Sequence, residues 1–263
     1  MYDFSYVKPS SVADAVKVLG EDMEAKALAG GQTFIPVLKQ RLNRPSQIVD
    51  LGGLGLAGIR REGDKVVIGA MSTHHMIESA PEVVQNIPGL AKMASWIGDT
   101  QVRHRGTMGG SLANNDPSAC YPCAVLALGA TIKTDRRSIA ADDYFQGMFT
   151  TALEPGEIIT AVEFPIPEKS NYEKFRNPAS RYAMVGVFVA KGPAGVRVAI
   201  TGAGQDGVFR QKEMEQALSS NWSPDAIKDI KVSPEGLNGD IHASAEYRAH
   251  LIGVMARRAV AAA

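Results

Sequence analysis

Residues 25–42, "AKALAGGQTFIPVLKQRL", pass from a short apolar segment through a glycine-rich turn into apolar residues at helical spacing. The apolar segment "QIVDL" at 47–51 completes a pattern of strand, helix and strand. The two strands of such a unit run parallel, so we predict a small parallel sheet with "AKALA" as a buried strand. Thr33 can cap the helix while the amides of Gly31, Gln32 and Thr33 face an anion. Many turns between a strand and a helix are rich in glycine for structural reasons alone, and that alternative stays open.

Two other glycine clusters have the spacing of a phosphate-binding loop but not its context. "GGLGLAG" at 52–58 is followed by "IRREGDKVVIGA", which predicts a hairpin and no helix. "TGAGQDG" at 201–207 follows the apolar segment "VRVAI", but no second parallel strand is evident before the chain ends. Because a dinucleotide-binding unit needs that closing strand, we predict that residues 201–207 only turn the chain from a strand towards a helix.

The segment before the parallel unit predicts the first helix. "SVADAVKVLGE" at 11–21 places Val12, Ala15, Val16 and Leu19 on one face. Ser11 and Asp14 resemble a capping box, and Gly20 stands where a C-terminal cap is expected.

Downstream, the pattern predicts an α+β protein with two domains. A Pro- and charge-rich stretch, "PIPEKSN", follows a predicted strand and marks a boundary, so we expect domains at 1–167 and 168–263. The second domain is predicted to hold neighbouring strands followed by two helices. The segments behind these predictions are strands at 65–70, 157–165, 184–190 and 196–201, a helical stretch interrupted by proline at 81–97, a helix running into a strand at 124–135, and helices at 210–220 and 244–260.

The composition excludes several classes of protein. The 263 residues include 28 Lys+Arg and 28 Asp+Glu, so the formal net charge is zero and no nucleic-acid footprint is indicated. No apolar segment is long enough to span a membrane, and no signal peptide is evident, so a cytoplasmic location is expected. The only cysteines, in "CYPC" at 120–123, predict neither a disulfide framework nor a metal site.

A second motif, "TMGGSLANNDPSACYP" at 107–122, is more specific than any of the glycine spacings. With "AGGQTFIP" at 29–36, "IGDTQVRHRGTMGG" at 97–110 and "KFRNPASRYAMVGV" at 174–187, it resembles the FAD-binding (medium) subunits of the molybdenum hydroxylases. These are the flavin subunits of the xanthine dehydrogenase and carbon monoxide dehydrogenase group. The resemblance covers essentially the whole chain, with the motifs in the same order.

The resemblance implies a fold, a cofactor and partners. The fold would be the FAD-binding fold of the vanillyl-alcohol-oxidase-like flavoproteins, with two α/β subdomains, followed by a C-terminal domain of a small sheet and helices. FAD would take electrons from a 2Fe-2S small subunit and pass them to an external acceptor. Substrate would react on a molybdopterin-containing large subunit, within a dimer of heterotrimers. The chain alone is then not expected to act on a hydroxylase substrate.

The resemblance also implies which residues contact FAD. The segment from 29 to 35 would wrap the pyrophosphate with backbone amides, and residues near 107–111 would form a second wall. Asp116 would lie close to the nucleotide, and Tyr182 would cover one face of the isoalloxazine ring. The implied cofactor-binding residues are Ala29, Gly30, Gly31, Gln32, Thr33, Phe34, Ile35, Thr107, Gly109, Gly110, Ser111, Asp116 and Tyr182.

Two positions depart from the family pattern. Cys120 stands where an acidic residue is common, which puts the contact with the adenosine part of FAD in doubt. Arg181 stands where aspartate is common, next to Tyr182. Two alternatives also remain open: a thioredoxin-like redox pair at Cys120 and Cys123, and a self-contained NAD(P)-dependent or flavin oxidoreductase with its own substrate pocket.

Overall fold

In the computed structural model, which describes residues 1–263, the chain begins with a three-stranded parallel sheet. The strand order is β1-β3-β2, and both pairs are parallel. The predicted strand–helix–strand unit is therefore present. It consists of β2 (Lys26–Leu28), α2 (Phe34–Lys39) and β3 (Gln47–Asp50), and it is preceded by β1 (Ser5–Val7) and α1 (Val12–Glu21).

Two local predictions for this part of the chain are wrong. Gly20 does not end α1, because the helix continues to Glu21 and the extended backbone of Asp22 terminates it. The strand β2 is not buried, since Lys26 and Ala27 are exposed at the edge of a sheet with only three strands. The cap at the other end of α1 is as predicted, with the Ser11 side chain accepting the Asp14 amide at 3.1 Å.

A second, antiparallel sheet of five strands follows, in the order β4-β5-β10-β6-β7. As predicted, the glycine cluster at 52–58 leads into a hairpin and not into a helix. The central strand, β10, pairs with β5 on one side and β6 on the other. The strands are β4 (Ile59–Glu62), β5 (Lys65–Gly69), β6 (Thr131–Thr134), β7 (Ser138–Ala140) and β10 (Ile159–Pro165).

Six short helices lie between β5 and β6 and supply much of the larger core. Pro81 and Pro88 each occupy the first position of a helix, where the missing N–H would have no intrahelical partner. The helical stretch predicted at 81–97 with a proline interruption is therefore two separate helices. The six are α3 (His74–Ser79), α4 (Pro81–Asn86), α5 (Pro88–Ser95), α6 (Thr100–Arg105), α7 (Met108–Asn114) and α8 (Tyr121–Ala127). A small excursion after β7 contains α9 (Ala141–Tyr144), β8 (Phe145–Gly147) and β9 (Thr150–Thr151).

The rest of the chain forms a four-stranded antiparallel meander with two helices on one face. Val185, Val187 and Val189 pack towards those helices, whereas Phe188 and Ala190 join the core of the first part of the chain. Burial on both faces explains the nearly continuous apolar sequence of the second strand. The elements are β11 (Lys169–Arg176), β12 (Ala183–Gly192), β13 (Gly195–Gly204), β14 (Gly207–Arg210), α10 (Lys212–Ser220) and α11 (Ala245–Ala261).

The glycines at 202–207 form a structure different from the one predicted. Gly204 pairs with Gly207, so residues 201–207 belong to a tight hairpin between β13 and β14. The predicted turn from a strand to a helix is wrong, because α10 begins only at Lys212, after another strand. None of the helices in this fold combines the length and the apolar character that a membrane crossing requires.

Candidate functional site

A cleft of about 630 Å³ collects most of the residues that the sequence motifs singled out. Ile35 is the exception, because its side chain turns back beneath Gly31, where a β-carbon would lie 2.6 Å from the Ile35 Cδ1 atom. The predicted residues that line the cleft are Ala29, Gly30, Gly31, Gln32, Thr33, Phe34, Thr107, Gly109, Gly110, Ser111, Asp116 and Tyr182.

The turn between β2 and α2 presents a row of unpaired hydrogen-bond donors. None of the backbone N–H groups from Gly30 to Phe34 donates to another group of the chain, and the first bond of the helix joins the Ile35 N–H to the Gly31 carbonyl at 3.0 Å. Gly31 has a φ of +73°, which a residue with a side chain rarely adopts. Five consecutive free donors at the start of a helix are suited to a phosphate-bearing ligand.

Thr33 does not cap α2, contrary to the prediction. Its backbone is already helical, with φ −99° and ψ −49°, and its hydroxyl accepts no amide. A capping side chain reaches the next turn only from an extended backbone, so the helical turn that begins at Gly31 excludes that role.

The second glycine motif, unlike the first, has backbone amides that are hydrogen-bonded within the protein. The Gly109 N–H donates to the Ala70 carbonyl at 2.8 Å, and the Gly110 N–H donates to Thr107 Oγ1 at 3.2 Å. The glycines are needed for close packing, since a β-carbon on Gly110 would lie 2.8 Å from Thr107 Oγ1 and 3.3 Å from the Ala29 side chain. This motif therefore contributes a closely packed surface and the hydroxyl groups of Thr107 and Ser111 to the cleft, and not free amides.

The two glycine motifs touch through the residues that precede the second one. A β-carbon on Gly30 would overlap the carbonyl oxygen of Arg105. The carbonyl of Gly106 accepts the His74 N–H at 3.0 Å, which fixes the chain just before Thr107.

His74 is 5% exposed and lines the cleft. Burial, and then the charge of Arg103, lower its pKa to about 4, so the imidazole is neutral near pH 7.

The second half of the motif at 107–122 forms a third wall of the cleft. Asn115 ends α7 with a φ of 42°, and its side-chain amide donates to the carbonyls of Gly147 and Thr150, each at 2.8 Å. The next turn begins at Asp116, whose carboxylate accepts the Ser118 N–H at 2.8 Å. The cleft-lining residues Ser118 and Ala119 belong to the same quoted motif but were not predicted as contacts.

Comparisons with known proteins agree with this arrangement. The family described as "FAD binding domain in molybdopterin dehydrogenase" matches residues 2–167. The chain belongs to this family. It is 35% identical to the carbon monoxide dehydrogenase medium chain of Afipia carboxidovorans, over 98% of this chain and 95% of the relative. It is 36% identical to the nicotine 6-hydroxylase medium subunit of Paenarthrobacter nicotinovorans, over 97% of this chain and 95% of the relative.

Solved structures give the same result for the fold. The chain matches a carbon monoxide dehydrogenase from Oligotropha carboxidovorans with a TM-score of 0.90 and 34% identity, over 99% of this chain and 97% of the other. A quinoline 2-oxidoreductase from Pseudomonas putida matches with a TM-score of 0.89 and 31% identity, over 100% and 97% of the two chains. The chain is thus a medium subunit of the molybdenum hydroxylase group, an oxidoreductase component whose cofactor is FAD.

The cleft of this FAD subunit is also lined by residues that sequence reasoning missed. Lys174, on β11, is 7% exposed and donates to the carbonyls of Trp96 at 2.8 Å and Arg181 at 3.1 Å. Its position in the quoted segment "KFRNPASRYAMVGV" was the only signal, because two of the groups that it contacts, Trp96 and Cys120, lie far away in the sequence. His74 was missed for the same reason.

Tyr182 lies where the cleft meets the C-terminal sheet. Its side chain is half exposed, and Arg181 before it has a φ of 63°. Burial of the phenol, and then the charge of Asp116, raise the pKa of Tyr182. The tyrosine is therefore a neutral aromatic wall across a wide pH range.

The cysteines of the FAD subunit are free and buried. The Cys123 thiol donates to the Cys120 carbonyl at 3.0 Å, and only Cys120 lines the cleft. His74 and His75 face different surroundings: His74 is buried, whereas the half-exposed ring of His75 stacks on His104 with 4.0 Å between ring centres.

Proposed function

We propose that this FAD subunit carries electrons from a 2Fe-2S small subunit to an external acceptor, while substrate reacts on a molybdopterin-containing large subunit. Support comes from the relatives, which are medium chains of a carbon monoxide dehydrogenase and of a nicotine 6-hydroxylase. The observation that carries the proposal is the joining of five free backbone donors and an exposed tyrosine on one cleft. Bound FAD would supply transfer of electrons singly or in pairs, which protein side chains cannot supply.

Each wall of the cleft has a proposed task towards FAD. The segment Ala29–Ile35 would bind the pyrophosphate with its free amides, with Ile35 supporting Gly31 from below. Thr107, Gly109, Gly110 and Ser111 would close the opposite side, and Asp116 would lie close to the nucleotide. Tyr182 would cover one face of the isoalloxazine ring and limit the access of water to it. The residues present fit FAD, because the free donors match its phosphates and Gly110 keeps the two glycine motifs in contact.

We propose a division of the fold to match these tasks. The parallel sheet and the five-stranded sheet would be the two subdomains of a vanillyl-alcohol-oxidase-like FAD domain at 1–167. Residues 168–263 would form the C-terminal domain, which begins just before β11. The complete enzyme would be a dimer of heterotrimers in the cytoplasm.

Electron transfer can be tested anaerobically with the isolated chain and its partners. The FAD-loaded chain is mixed with aldehydes, purines or carbon monoxide while flavin absorbance is followed. We expect no bleaching by the chain alone, and bleaching by the appropriate substrate once both the 2Fe-2S and the molybdopterin-containing subunits are added. Bleaching without partners would refute the proposal and favour a self-contained flavin oxidoreductase.

Loading with FAD is verified separately by thermal unfolding. A ligand at about 100 times its Kd adds roughly 2.7 kcal/mol to the free energy of unfolding. For a chain of this size, roughly 2–4 °C per kcal/mol gives a rise in Tm of about 5–11 °C. If the chain shows this rise in Tm and its flavin is still not reduced by substrate, the chain binds FAD correctly but lacks its electron donor.

The task of Tyr182 can be tested with a matched pair of variants. Tyr182→Ala should retain FAD but raise the fluorescence of the bound flavin, because the quenching contact of the phenol with the ring is lost. Tyr247→Ala, an equivalent change at a tyrosine 44% exposed on α11, should leave the fluorescence unchanged. Equal fluorescence in the two variants would refute the contact between Tyr182 and the flavin ring.

A further inference from the structure

Lys174 is a buried charged group without a carboxylate partner. The residue is 7% exposed, and its ammonium donates to two backbone carbonyls. The third group within reach is the sulfur of Cys120, 3.4 Å from Nζ. An ammonium taken out of water is costly unless an opposite charge compensates it, and Cys120 is the one side chain in contact with Nζ that can carry a negative charge.

The two cysteines differ in what they can reach. Cys123 is fully buried, its thiol donates to a carbonyl, and burial raises its pKa well above the usual range. Cys120 is 6% exposed and lines the cleft. The side chain of Tyr172 is also fully buried close to the same sulfur. The Cys120 sulfur thus lies on the wall of the cleft in direct contact with a buried ammonium.

We propose that Cys120 is a thiol-modification site on the wall of the cleft, activated by Lys174 and shielded when FAD is bound. Its reaction partners are small disulfides that can enter the cleft. The Cys120 thiol releases its proton to solvent, and its sulfur attacks one sulfur of the disulfide. A new S–S bond forms as that of the reagent breaks, and the second half leaves as a thiolate with the electron pair. The attached group then occupies space in the cleft, so thiol oxidation of the unloaded chain would block loading with FAD.

The experiment uses the full chain without FAD and an aromatic disulfide that releases a coloured thiolate. We expect one rapid equivalent of thiolate at pH 7, with the label mapped to Cys120 by mass spectrometry. The rapid phase should vanish in Cys120→Ser and persist in Cys123→Ser. In Lys174→Met it should slow by ~tenfold or more, because the variant removes the cation that contacts the attacking sulfur. Circular dichroism establishes that each variant is folded, and label mapping in the parent gives a result that needs no variant.

Shielding by FAD rests on the proposed placement of FAD in this cleft, so it is measured apart from reactivity. At about 100 times its Kd, FAD should slow labelling about a hundredfold, because only about one chain in a hundred is then unloaded. Labelled protein should show no FAD-induced rise in Tm until a reducing agent removes the label. Slow labelling, or labelling mapped to Cys123, would overturn the modification site and leave the proposed function standing. Rapid labelling of Cys120 that persists in FAD-saturated protein would overturn the shielding and the placement of FAD.

Discussion

Acidification is expected to destabilise the chain through His74, at the junction that holds the second glycine motif. His74 lies against Tyr121, with 5.3 Å between ring centres, and its Nδ1 atom is buried without a hydrogen-bond partner. Burial, and then the charge of Arg103, lower its pKa from the usual 6.5 to about 4. The perturbation is His74→Leu, which keeps a side chain of similar size in the pocket and removes the titration.

The sign and size follow from the pKa values of the two states. Between pH 6.5 and about 4 the unfolded chain binds a proton at His74 that the folded chain does not. The contribution to stability is therefore complete above pH 6.5 and is lost as the pH falls towards 4. At about 1.4 kcal/mol for each pH unit the whole contribution is about 3 kcal/mol. Of this, about 2 kcal/mol should be lost between pH 7 and pH 5.

The assay is urea unfolding of the parent and of His74→Leu at pH 7, 6 and 5. The fall in the free energy of unfolding from pH 7 to pH 5 should be smaller in the variant by about 2 kcal/mol. His250→Leu is the matched control, because it makes the same substitution at a histidine that is exposed on α11. Parallel pH profiles for the parent and His74→Leu would show that the buried imidazole is not the group that titrates.

Two further substitutions test which residues the FAD cleft depends on. Gly110→Val should abolish FAD retention, because its β-carbon would lie 2.8 Å from Thr107 Oγ1, whereas Gly53→Val adds a side chain in open space and should retain FAD. Equal FAD loss in both folded variants would contradict the assignment. Thr201→Val should lower stability by about 1 kcal/mol and weaken FAD binding, since the Thr201 hydroxyl donates to the Pro117 carbonyl at 2.9 Å. Thr201→Ser keeps the hydroxyl and should behave like the parent, so equal unfolding and FAD-binding curves for the two variants would refute the bracing contact.

The elements that could be predicted from the sequence are those whose signals are local. The change from a short apolar strand to helical spacing located β2 and α2, and a proline indicated the interruption between α4 and α5. What failed depends on neighbours in space. The exposure of β2 follows from its place at the edge of a sheet, and sequence spacing does not show which strand ends at an edge. The hairpin at 204–207 needed a pairing strand, β14, of only four residues.

In the candidate site, too, the residues that could be predicted are those with a local signal in the sequence. The first glycine motif could be predicted to line a cleft because backbone amides at a helix start are supplied by consecutive residues. Ile35 belongs to that segment, yet its side chain turns back against Gly31 and does not line the cleft, because side-chain direction at a helix start depends on the local packing. Lys174 and Cys120 are 54 positions apart, and no spacing rule connects them. Their contact joins β11 to the turn between α7 and α8.

The β13–β14 hairpin supports one wall of the cleft through hydrogen bonds to the turn at 117–119. The N–H of Gly202 donates to the Pro117 carbonyl at 2.8 Å, and the neighbouring hydroxyl of Thr201 donates to the carbonyls of Pro117 and Ala119. Gly202 has a φ of +82°, and a β-carbon there would overlap the carbonyl oxygen of Ala183, so only glycine lets this strand approach. Its N–H is consumed inside the protein, whereas that of Gly31 is free. Internal use of the amide, more than glycine spacing, therefore distinguishes a turn that can bind a phosphate from one that braces the wall beside it.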